Sequence, residues 1–291
     1  GSEMCIRDSS ASMWVGQQLA DGLDFWGFLG SLILGGIILG IYTGLLGYVG
    51  AKTGLSLDLL SQRAFGEKGS YLPSAMTSFT QIGWFGVGSF VSGGTATPNF
   101  ARFAKDGKAG AITTVVAFFI GNSLMFFFGA VSSIFVGGND IFEVMVRLNL
   151  FYLAVLVLGL NIWTTNDNAL YTAGLGLANI FHQRKKPMVL LSGIIGTVAS
   201  VWLYYNFCGW LNILNCTLPP VGMILVLAYF MNKKDFETDQ PKLKTVDWFA
   251  VAGVILGAIV ANLLHWGIAS INGMVVAAVC YCVGQAVNKR K

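Results

Sequence analysis

Read for its hydrophobic pattern, the chain is a series of apolar stretches near or above the ~20 residues a helix needs to cross a bilayer. They fall at residues 28–48, 71–97, 110–136, 148–173, 188–207, 211–231, 246–264 and 268–287, which predicts eight spans. None shows the alternating ~10-residue segments of a β-barrel, so an all-α integral membrane bundle is expected. Residues 10–20 read as the last part of a further helix, a partial first one. Residues 1–9 (GSEMCIRDS) fit neither a span nor a signal peptide and read as a non-native leader, leaving 10–291 as a single membrane domain. The short apolar piece 175–181 is expected at the interface, with the next helix starting at Pro187, and Pro219-Pro220 mark a break or kink.

Composition agrees. Hydrophobic residues make up 55% of the 291 and charged residues 11%, with a mean hydropathy of +0.66, against about 25% charged in soluble domains. The net charge of +4 sits in connections and does not indicate nucleic-acid binding. Cys5, Cys208, Cys216, Cys280 and Cys282 form no CxxC, and His182 and His265 are isolated, so the thiols read as structural.

Lys and Arg cluster at 52–68, 102–108, 184–186, 233–244 and 289–291, whereas 137–147, 207–210 and 265–267 carry little or no positive charge. Basic connections mark the cytoplasmic side, so the tail is expected in the cytoplasm. From Arg102 onward the sides alternate regularly. The stretch 71–97 breaks the rule, because it has basic segments on both flanks and a single crossing cannot start and end on one side. Its glycine-rich interior, Gly83 to Gly94, is either a re-entrant hairpin or two half-helices joined after intervening crossings are lost.

Candidate chemistry is sparse. No catalytic triad, HExxH, paired-carboxylate or phosphate-loop pattern is present, so an enzyme is disfavoured. The informative stretch is 161–168 (NIWTTNDN), a polar run at membrane depth, where such groups are costly and normally face a cavity or one another. Asn161, Thr164 and Thr165 share a helix face at spacings of three and four. Their neutral oxygens suit a weakly held Na⁺, or bond across helices. Asp167, the one acid inside a predicted span, either is solvated at a helix end or gates a cation. Gln81, Trp84, Ser89, Phe90 and Ser92 set aromatics beside small polar groups, an arrangement that suits a flat polar ring or simple packing.

Four motifs, IGWFGVG (82–88), SFVSGGT (89–95), AFFIGNSLMFFFG (117–129) and above all VLGLNIWTTNDNALYTAGLG (157–176), resemble the bacterial cytosine permeases of the nucleobase:cation symporter-1 family. The likeness covers the chain from about Ser10, including GIYTGLLGYVGAKTG (40–54) and the double proline. It implies a leucine-transporter-like bundle of inverted repeats, in a bacterial inner membrane, that imports cytosine with a coupling cation, Na⁺ in preference to H⁺. It implies no cofactor, no catalytic residue and no obligate protein partner beyond the small-molecule base and the lipid bilayer. By the resemblance, Trp84 and Phe90 sandwich the base, with Gln81, Ser89, Ser92 and Asn161 at its edge. Asn161, Thr164 and Thr165 hold Na⁺, and Asp167 gates or lies in the second shell.

Two departures follow from the same likeness. The part of the first helix that would face the cation is replaced by residues 1–9. The third helix also runs directly into the sixth near 88–89, an internal deletion that explains the charge anomaly. On one continuous helix Trp84 and Phe90 would lie ~9 Å apart along the axis and ~240° apart around it, so they could not face each other across a ring.

Overall fold

A computed structural model describes residues 24–87, 97–137, 141–238, 241, 243–264 and 266–288. The expected leader, the helix remnant at 10–20, the 88–89 junction and the basic tail lie outside the described residues.

Every regular element described is helical. α1 (Phe25–Thr53) begins where the Gly27 N–H donates to Asp24 Oδ1 at 3.2 Å, and ends at Gly54, whose φ of 68° only glycine adopts without strain. α2 (Leu57–Phe65) is capped by Ser56. α3 (Tyr71–Val87) and the short α4 (Pro98–Ala101) follow. α5 (Gly107–Val115) passes through a π turn at Val116–Gly121 into α6 (Asn122–Val136). The remainder is α7 (Ile141–Arg147), α8 (Phe151–Phe181), α9 (Lys185–Tyr205), α10 (Phe207–Met231), α11 (Lys233–Glu237), α12 (Trp248–Leu263) and α13 (Ala269–Asn288).

Each of the eight predicted spans holds a described helix, that in 71–97 as far as Val87, with three differences. Residues 175–181 do not form a separate interfacial piece; they are the last turns of α8, which ends at His182 with φ 52°. Gly174 and Gly176 are not breakers there. They are points of close approach: a Cβ on Gly174 would meet the Val189 backbone of α9, and one on Gly176 would overlap Ser78 Oγ and come within 2.8 Å of the Ser74 carbonyl oxygen of α3. Second, α10 runs through Pro219 and Pro220 without interruption. Third, the basic connection 52–68 contains α2, an amphipathic helix that buries Leu57, Leu60, Ala64 and Phe65.

By length and composition, four described helices can cross a membrane: Phe25–Thr53, Gly107–Val136, Asn212–Met231 and Ala269–Asn288. The helices that carry the expected site, α3 and α8, are not among them. α3 is described over 17 residues, as far as Val87, and α8 holds the polar run in its middle.

The main core joins α1, α2, α10, α12 and α13 around Leu46, Phe65, Ile224, Tyr229, Val254 and Tyr281. α12 and α13 come together where Gly257 and Gly273 face each other's carbonyls, a contact small residues permit between membrane helices. Outside, large apolar side chains such as Leu34, Ile41, Phe135, Val198 and Val279 are exposed, as expected of a surface whose solvent is lipid.

The described basic segments gather at one end of the bundle, as their charge pattern predicts. The Leu57 N–H donates to Asn99 Oδ1 at 2.8 Å, Glu67 and Lys68 N–H donate to the carbonyls of Lys244 and Thr245, and Arg63 donates to the Asp235 carbonyl at 2.8 Å. Tyr71 pairs with His182 at 2.7 Å, and Arg102 donates to Tyr171.

Candidate functional site

α3 and α8 run antiparallel and form the frame on which the expected site would be built. Asn179 Nδ2 donates to Ser70 Oγ and Ser74 Oγ at 3.1 and 2.9 Å, and Ser78 Oγ donates to the Ala173 carbonyl at 3.2 Å. Each step up α3 from the basic end is therefore level with a step back along α8. Continued at ~1.5 Å per residue, that register brings the Trp84 backbone level with Asp167 and Asn168 and leaves Asn161 ~10 Å farther from the basic end.

Among the expected base contacts, Gln81 is described and buried at 6% exposure, on the part of α3 packed against the bundle. Two residues on, Gly83 takes the Trp210 ring of α10 where any Cβ would clash, which fixes α3 against α10 at the end opposite the basic one. Ser89, Phe90 and Ser92 lie outside the described residues, as do the side chains of Trp84, Asn161, Thr164 and Thr165. Residues 161–168 themselves are uninterrupted α-helix, so the polar run does not unwind the backbone. Asp167 is exposed, whereas Ala169, Thr172 and Ala173 are buried on the packed face of the same helix.

Ahead of this frame, sequence reasoning missed a polar cluster at the basic end. Asp58 of α2 is buried at 5% exposure and accepts a hydrogen bond from Ser74 Oγ at 2.6 Å. Asn179 accepts from Gln62 Nε2 at 2.6 Å while donating to Ser70 and Ser74, so one amide ties α2, α3 and α8 together. Burial outweighs the Ser74 bond and the attraction of Arg102, and pushes the Asp58 carboxyl up from 3.8 to about 6. The signal was present in the sequence: Ser56 before apolar positions 57, 60, 64 and 65 marks a capped amphipathic helix, whose acid one position in lies close to its buried face.

No group of three or more His, Cys, Asp or Glu that could hold a metal ion occurs among the described residues.

The profile of the family described as "Permease for cytosine/purines, uracil, thiamine, allantoin" matches residues 9–96 and 87–287. The chain belongs to this permease family. It is 36% identical to the cytosine permease of Escherichia coli (strain K12) over 375 aligned positions, covering 97% of this chain and 89% of the relative. It is 33% identical to the allantoin permease of Bacillus subtilis (strain 168) over 92 positions, 32% of this chain and 19% of that one. Among solved structures it is similar to Mhp1, a nucleobase-cation-symport-1 family transporter, in a closed conformation with bromovinylhydantoin bound. That match has a TM-score of 0.76, covers 98% of this chain and 91% of Mhp1, and has 14% sequence identity. An inward-facing structure of Mhp1 matches with a TM-score of 0.51, 16% identity and coverage of 99% and 81%.

The expected all-α, leucine-transporter-like fold is therefore the fold of this chain, and the family is one of permeases, not enzymes. A permease of this family is a multi-pass membrane protein that carries small molecules of the nucleobase type, in agreement with the apolar helices described above.

Proposed function

We propose that this chain represents a cation-coupled cytosine importer of a bacterial inner membrane, with its C-terminus in the cytoplasm. The observation that carries the substrate is the 36% identity to a cytosine permease across 97% of the chain. The basic end would face the cytoplasm by the usual bias of Lys and Arg. In this reading Trp84 and Phe90 stack on the base, Gln81, Ser89, Ser92 and Asn161 bond its edge, and Asn161, Thr164 and Thr165 supply neutral oxygens to Na⁺. Na⁺ is favoured over H⁺ because that trio carries no titratable group. Asp167, exposed and away from the packed face of α8, stands outside the ion's shell as a gating residue.

A second reading concerns the chain itself. We infer that it lacks the family's fourth and fifth helices at 88–89 and does not transport as it stands. The alignment with the cytosine permease has 375 positions, and 97% of 291 residues fill about 282 of them, leaving about 93 with no counterpart here. The two profile matches overlap at 87–96, where that junction lies. The chain leaves the basic end along α3 and is back there at Asn99, bonded to Leu57. The intervening 88–96 is less than half the ~20 residues of a second crossing.

Uptake of radiolabelled cytosine into proteoliposomes, with and without an inward Na⁺ gradient, tests both readings. The chain with the missing helices restored should show Na⁺-dependent uptake and the present chain background only. Uptake by the restored protein that ignores Na⁺ would remove the ion assignment, and full uptake by the present chain would remove the deletion argument.

A further inference from the structure

Where α4, the last turns of α8 and the start of α9 meet at the basic end, two cations share one aromatic ring. Arg102 donates through Nη2 to the Tyr171 hydroxyl, and the Lys185 ammonium lies 3.4 Å from the centre of the same ring. The guanidinium also lies 4.6 Å from the centre of the Phe103 ring. Among the described residues neither cation forms an ion pair, unlike Arg147 with Glu143 and Lys244 with Asp247. Arg102 Nε is buried without a hydrogen-bond partner. The two positive groups are close enough to repel each other. The acid that faces Arg102 is Asp58, buried and already bonded to Ser74.

Two like charges held against one ring repel each other, and an anion bound beside them relieves that repulsion. Beside the pair, Phe103 is 74% exposed and Phe100 41% exposed. Aromatic and apolar side chains at a helix end beside cations mark the level of lipid headgroups. A free anion has no use for that apolar border, whereas a phospholipid has both a phosphate for the cations and chains for the rings.

We propose that Arg102 and Lys185, gathered on Tyr171, form a binding site for the phosphate of an anionic phospholipid, with its glycerol and upper acyl chain against Phe100 and Phe103. Arg102 offers its guanidinium to one phosphate oxygen, and Lys185 neutralises the remaining charge as a point cation. Tyr171 holds both in place. The occupied site would pin α4 to the junction of α8 and α9.

The test is native mass spectrometry of the purified chain in detergent with added phosphatidylglycerol, phosphatidylcholine or inorganic phosphate. Phosphatidylglycerol should be retained in preference to phosphatidylcholine, and millimolar inorganic phosphate should not displace it. At ~1 kcal/mol per cation, Lys185→Gln should weaken retention about fivefold and the Arg102→Gln/Lys185→Gln double variant about thirtyfold. Lys233→Gln/Lys234→Gln, which removes the same charge from α11, should leave it unchanged. Equal retention of the two lipids, displacement by free phosphate, or equal losses in the α11 variant would each overturn the proposal. Lys185 is only half-buried, so its single variant keeps the test decisive if the double variant does not fold.

Discussion

The two halves of α8 are built to different specifications. In the first, Tyr152 is 87% exposed and Val155, Leu156, Val157 and Leu160 are also exposed, with Ala154 the buried exception. In the second, Ala169, Thr172 and Ala173 are buried and Asn179 is bonded to both α2 and α3. The polar run 161–168 lies at the boundary. A helix in lipid satisfies its own backbone, so the first half needs no partner to remain helical. The side-chain hydrogen bonds that tie α8 to α2 and α3 lie in the second half.

Substitutions along α8 and its partners sharpen this contrast, from the largest effect to the smallest. Asn179→Leu strands Gln62, Ser70 and Ser74 at once and should cost about 3 kcal/mol, at ~1 kcal/mol per lost bond; the unfolding midpoint in a fixed detergent reads it. No loss would mean that the amide does not tie the three helices.

The next effect is pH-dependent. The Asp58 carboxyl lies at about 6 in the fold against 3.8 as its ordinary value, so between those values the folded state holds the proton and the unfolded state has lost it. Stability therefore falls as pH rises from about 4 to about 6 and is level above, a swing on the order of 2–3 kcal/mol. In Asp58→Asn, which keeps an acceptor for Ser74, this slope should disappear. A slope that survives would assign it to another group.

Gly176→Val places a side chain against the Ser74 carbonyl and should cost about 2 kcal/mol by overpacking the α3–α8 contact, again as a lowered midpoint. At the other extreme, Leu156→Ala in the exposed half should stay within ~0.5 kcal/mol of the parent. A large loss there would show the first half to be packed after all. In the chain with the missing helices restored, the same substitution should become costly.

How legible was this in the sequence? Helices at the eight apolar stretches were, because ~20-residue apolar windows leave few alternatives in a bilayer. The common side of the basic segments was legible for a related reason, since charge is confined to the ends of spans. The fate of 175–181 was not: Gly174 and Gly176 look like the end of a helix until Val189 and Ser74 are seen pressed against them. Pro219 and Pro220 do not break α10, because a helix enclosed by others carries prolines that would disrupt an isolated one. Of the candidate site, the sequence supplied residue types and spacing on α3 and α8, and the structure added their antiparallel register and the burial of Gln81.

By itself, then, the sequence determined a helical membrane protein, its spans, the side shared by its basic segments and its kinship with nucleobase permeases, all properties encoded locally in apolar length, charge and motif. Only the tertiary structure decided that Asp58, Ser74 and Asn179 meet, that Arg102 and Lys185 share Tyr171, and that the second half of α8 is tied to α2 and α3 while much of the first is exposed. Those depend on which residues far apart in the chain come within hydrogen-bonding distance, and no local pattern carries that information.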